Sequence, residues 1–233
     1  MDQHSTVLPL LHLCDSLFPI GAFAYSDGLE GAAMVRHVPE NVATGEDLRG
    51  WLEVCLHETI GRLEGPAVWR AWAAVESSDS DTLIAIDREL IALRPSSSAR
   101  RSTRAMGQRL LSTWVELHPH QSLGQVAALA EAGTVGPTLP IAFAAACAAS
   151  GVERRHAVEA YTYTRLSATV SAAMRLMPIG QTEAHRLLAR VLDRVPAVVN
   201  AIAASNAPLE CFTPLMDVAA MSQQYLHSRL FRS

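Results

Sequence analysis

Apolar residues recur along most of this chain at spacings of three and four, the period of helices that bury one face. Residues 7–18 are apolar and run into the breaker Phe18-Pro19-Ile20-Gly21, and a second helix is predicted from about Phe23 to Val35. Thr44 ahead of Glu46 and Asp47 reads as an N-cap with acids in the first turn. Behind it Leu48, Trp51, Leu52, Cys55, Leu56 and Ile60 form an apolar stripe. Pro66 marks the start of a further helix. The cluster Ser77 to Asp81 launches another through Leu83, Ile86, Leu90 and Leu93, which Pro95 stops. Ser96, Ser97 and Ser98 cap a long helix to about His118, and a shorter one covers Leu123–Ala132. Thr138–Ser150 is apolar nearly all round, which predicts a central buried helix. Residues 153–176 form a long helix broken at Pro178-Ile179-Gly180. The next carries Leu187 through Ile202, with a kink expected at Pro196. A last helix spans about Pro214–His227. Period-two runs bounded by turn dipeptides are missing. The fold class is therefore all-α: a single domain, residues 1–233, of about ten helices in a bundle.

Composition narrows the chemistry. Hydrophobic residues make up 49% and charged residues 18%, the balance of a folded chain. A net charge of −4 gives no electrostatic case for nucleic acid. All 19 basic residues are arginine, so neither a P-loop lysine nor a Schiff-base lysine exists. Cys14, Cys55, Cys147 and Cys211 lie far apart in apolar stretches and read as free thiols. The uncharged run between Glu131 and Glu153 is long enough to cross a bilayer. It is alanine-rich, however, and carries Gly133, Gly136, Pro137 and Pro140, which favours a loop and a buried helix. With no basic n-region ahead of Arg36, the chain reads as cytoplasmic and free of membrane.

Five constellations could carry function. Ser26, in the segment from Phe18 to Glu30, lacks both a nearby histidine and the G-x-S-x-G elbow of a nucleophile. His118 and His120 flank Pro119 and are weak candidates for nickel or zinc, because no cysteine or carboxylate completes a set. Arg100, Arg101, Arg104 and Arg109 read as a solvated helix face, with an acidic partner or phosphate as the alternative. Arg175 through Gln181 is a helix end followed by a breaker. Leu230 and Phe231 between Arg229 and Arg232, closed by Ser233, pair interface-prone residue types and read as an anchor for another surface, with docking onto the chain's own domain as the alternative. No triad, carboxylate pair, phosphate loop or metal cage emerges, so no catalytic residue is assigned.

Taken together and in order, these motifs resemble the urease accessory protein F family. The residues that carry the resemblance are Leu17 to Glu30; Arg104, Met106 and Gly107; Arg175 to Gln181; and Arg229 to Ser233. The region Thr134 to Pro140 departs from the family pattern, with Gly136 the nearest match to its glycine. The resemblance implies an all-helical, non-enzymatic scaffold, commonly a homodimer. It implies that the scaffold bridges accessory protein D (called H in some systems) and the GTPase accessory protein G for nickel insertion into urease apoprotein. Nickel passes through the complex, and no cofactor is held tightly. A role in activating or gating the GTPase is the alternative. Arg229, Leu230, Phe231, Arg232 and Ser233, a tail expected to be dispensable for the fold, together with Arg175, Pro178, Gly180 and Gln181, are implied to meet partners. Pro19, Gly21, Ser26, Gly28 and Glu30 are implied to be structural or to line an interface.

Overall fold

Helix-period patterning throughout the chain produces an all-helical structure. The computed structural model describes residues 6–34 and 42–232. Among them, regular structure consists of twelve α-helical segments, one π-helical segment and two short 3-10 turns.

The chain opens with α1 (Val7–Cys14), which stops four residues before the expected end. A 3-10 turn at Ala22–Ala24 and α2 (Leu29–Met34) replace the single helix expected from Phe23. The reason is backbone geometry: Gly21, Asp27 and Gly28 have φ of 76°, 50° and 90°, left-handed values that a helix cannot contain. Val35, at the end of the expected helix, lies outside the described residues.

A capping box starts α3 (Gly45–Val54): the Asp47 N–H donates to Thr44 Oγ1 at 3.2 Å, and the Thr44 N–H donates to Asp47 Oδ2 at 2.9 Å. This helix runs without a break through a π-helical segment (Cys55–Glu64) into α4 (Gly65–Glu76), so Pro66 does not begin a separate helix. The Gly65 N–H reaches the Ile60 carbonyl, a five-residue step. Pro66 falls in the first turn after this change of register, where its missing N–H does least damage.

Then come α5 (Ser80–Ala92), α6 (Ser97–Leu117), α7 (Gln121–Glu131), α8 (Leu139–Ala149) and α9 (Arg154–Leu176). The kinked helix expected around Pro196 is two helices, α10 (Gln181–Leu192) and α11 (Val195–Ala204), with Pro196 in the first turn of the second. The last regular elements among the described residues are α12 (Pro214–Ser222) and a 3-10 turn, Gln223–Tyr225. With the α3–α4 rod counted once and α10–α11 as one interrupted rod, about ten helices make the bundle.

The core is one continuous cluster reaching from Leu13 to Phe231. At its centre α8, buried from Leu139 to Ala148, packs on α4, α6 and α9. Its alanines let the neighbouring helices approach closely. The Asp87 carboxylate, buried in α5, holds the entry to α8 by accepting from the N–H groups of Gly136 (3.0 Å) and Thr138 (2.9 Å). All four cysteines are free. Among the described residues no helix is long and apolar enough to cross a membrane.

Candidate functional site

The segment from Leu17 to Glu30 is held at both ends. Phe18 is buried with its ring 5.6 Å from that of Trp114 and 5.2 Å from that of His12. Ser26, also buried, accepts from the Glu30 N–H through its hydroxyl at 3.3 Å and so starts α2. Between these anchors Leu17 and Phe23 stand out into solvent, 86% and 73% exposed. Pro19 is exposed as well.

Glu30 is only 1% exposed, and a buried carboxylate needs partners. It finds them in a distant part of the sequence: Gln223 Nε2 donates at 2.7 Å, and the backbone N–H groups of Leu230 and Phe231 donate as well, the latter at 3.3 Å. The Arg232 N–H donates to the Ala24 carbonyl at 2.7 Å. Residues 230–232 therefore lie across α2 and the loop before it, tied by two amides to the Glu30 carboxylate and by one backbone–backbone hydrogen bond.

Arg175, at the last turn of α9, completes the arrangement. Its Nη1 donates to the Phe23 carbonyl at 2.8 Å, and its guanidinium sits 4.2 Å from the centre of the Phe231 ring. Phe231 is 4% exposed, whereas Leu230 beside it is 57% exposed. A cleft of about 110 Å³ runs from here between the N-terminal loop and α9, lined by Phe18, Phe23, Thr164, Ser171, Arg175 and Phe231 among others. Three segments singled out separately in the sequence thus meet in one seat. Segment 229–232 lies against the chain's own domain and buries its phenylalanine there, the arrangement that the sequence offered as the alternative to an anchor for another surface. Arg229 and Arg232 lie exposed at either side, and Ser233 lies outside the described residues.

Other expected site residues do not join the seat. Pro178, Gly180 and Gln181 form an exposed link between α9 and α10, and only Arg175 of that motif reaches the seat. His118 stacks on Trp114 at 4.3 Å, while His120 accepts from the Ser122 N–H at 3.3 Å and caps α7. Among the described residues, no group of three or more His, Cys, Asp or Glu is placed to hold a metal ion. Arg100 is spent on the carbonyls of Arg94 and Pro95, at 2.6 and 2.7 Å.

Beneath the seat lies a charged cluster that the sequence reading missed. Glu64, at the end of the π-helical segment, accepts from Tyr161 Oη at 3.0 Å, from Arg165 Nε at 3.2 Å and from Arg94 Nη2. Arg165 also donates through Nη2 to Asp27 at 2.6 Å. Burial alone would raise the Glu64 carboxyl, but Arg165 and Arg94 outweigh it and hold the group below its ordinary value. Burial, reinforced by the Glu64 charge, pushes the Tyr161 phenol well up. One signal was available: Glu64 falls in register with Ile60, Ala67, Val68 and Ala71, on the apolar face of its helix.

The family model described as UreF matches residues 42–192. A "Urease accessory protein UreF" from an Azoarcus strain is 33% identical over 229 residues, covering 97% of this chain and 95% of that protein. Relatives with the same name in Methylorubrum populi and a Bacillus strain are 34% and 31% identical, each over 97% of this chain and 98% and 99% of their own lengths. The chain belongs to the urease accessory protein UreF family.

Proposed function

We propose that this chain is a non-enzymatic scaffold of urease maturation in the cytoplasm. It docks accessory protein D (H) at the seat formed by Glu30, Arg175 and segment 229–232, and it bridges that protein to the GTPase accessory protein G. The carrying observation is the convergence of three distant segments on one surface that buries Phe231 as an anchor and leaves Leu230, Leu17 and Phe23 facing outward. Exposed apolar side chains grouped in this way suit a protein partner.

A second surface supports assembly. Helix α12 turns Ala219 inward and leaves Leu215, Val218, Met221 and, just beyond its end, Tyr225 exposed, with Phe212 ahead of it. This reversal of the usual amphipathic pattern suits a further protein contact, a second copy of the chain included. Nickel is cargo in this reading, handed on within the complex to urease apoprotein.

The test is co-expression with accessory protein D. Leu230→Asp alters an exposed side chain, so it leaves the helical circular dichroism signal and melting midpoint unchanged and abolishes co-purification. A complex recovered in undiminished yield from the variant removes the seat as the docking surface.

A further inference from the structure

Helix α9 holds the N-terminal loop at two points. Arg175 holds the Phe23 carbonyl at 2.8 Å. Arg165, ten residues earlier and so about 15 Å away along the helix, holds the Asp27 carboxylate at 2.6 Å. The Arg165 side chain is 14% exposed and is itself fixed from below by Glu64, through Nε at 3.2 Å. Asp27 lies between Ser26, whose hydroxyl starts α2, and Gly28. Both Asp27 and Gly28 have left-handed backbone, φ 50° and 90°. Three residues past Asp27 comes Glu30, whose carboxylate carries the amides of Leu230 and Phe231.

We propose that Asp27 and Arg165 are positioning residues of the seat: their ion pair locks the turn at residues 26–28 so that Glu30 presents its carboxylate to segment 230–231. A left-handed turn has competing backbone states, and a two-headed arginine anchored on a buried glutamate selects one of them. Arg165 acts through Asp27 and Glu30: its ion pairs go to Asp27 and Glu64. The consequence for partner docking rests on the function proposed above; the positioning itself does not.

Amide hydrogen exchange on the full chain separates the two. Asp27→Asn keeps a residue that tolerates left-handed backbone and removes the charge. Exchange at Leu230 and Phe231 rises on the order of tenfold in this variant, while the α8 amides change only with global stability. Arg165→Lys keeps the charge but loses the second head, and it gives the same local pattern. Wild-type exchange at Leu230 and Phe231 in Asp27→Asn, with loosening only in Asp27→Ala, overturns the proposal, because backbone preference alone then sets the turn. Should Arg165→Lys fail to fold, Asp27→Asn decides by itself, since its side chain is partly exposed. If Asp27→Asn loosens the segment while co-purification with accessory protein D persists undiminished, positioning stands and the docking reading falls.

Discussion

Glu64 is buried and accepts from three side chains, Tyr161, Arg165 and Arg94. A buried carboxylate between two arginines brings little net stability over an apolar core, yet removing one partner strands the others. Glu64→Gln leaves Arg94 and Arg165 short of countercharge, at a cost of about 3–5 kcal/mol. For a chain of this length the melting midpoint should fall by roughly 10 °C. The pH dependence follows from the direction of the shift. Because the folded carboxyl is held below its ordinary value of 4.5, the unfolded chain binds the proton first as pH falls. The contribution of Glu64 is therefore complete above that value and is lost as pH drops through the depressed one. Denaturant titrations below pH 4.5 should show a steeper loss of stability in the parent chain than in Glu64→Gln. Equal slopes would mean that Glu64 carries no such linkage.

Among elements, α2 and α12 show how small residues fix an arrangement. A Cβ on Gly31 would overlap the backbone carbonyl of Ala219, and the groups it would strike cannot rotate away. Gly31→Ala should force the two helices apart and cost about 1–3 kcal/mol. It should also raise the proteolytic susceptibility of α12 while leaving the central α8 protected. The C-terminal segment behaves as an element of the same assembly. Deleting residues 229–233 exposes the Phe231 site, worth about 1.5–3 kcal/mol of apolar burial, and takes two donors from the buried Glu30. The truncated chain should keep its helical circular dichroism signal but melt roughly 5–10 °C lower. An unchanged midpoint would show that the segment does not rest in its seat in solution. The π-helical stretch ends at Glu64, so the change of register and the contacts to Tyr161, Arg94 and Arg165 meet at one residue.

At the scale of the molecule, the sequence by itself determined the fold class. Helical period, caps such as Thr44 with Asp47, and breakers such as Pro95 act over a few residues, so they survive being read without neighbours. The wholly apolar stretch from Leu139 to Ala148 likewise announced the centre of the bundle. The N-terminal, Arg175 and C-terminal motifs were visible as separate strings, and their order resembled the family to which the chain belongs. Tertiary structure alone decided that these motifs form one seat. Glu30 and Phe231 are some two hundred positions apart, and only the packing of α2, α9 and α12 brings them together. It also decided that Phe231 turns inward while Leu230 turns out, a choice invisible in two adjacent apolar letters. Pro66 within an unbroken rod and Asp27 paired with Arg165 follow the same logic. Local propensity is a sum of small preferences along the chain, whereas burial and charge pairing depend on what the rest of the chain brings alongside.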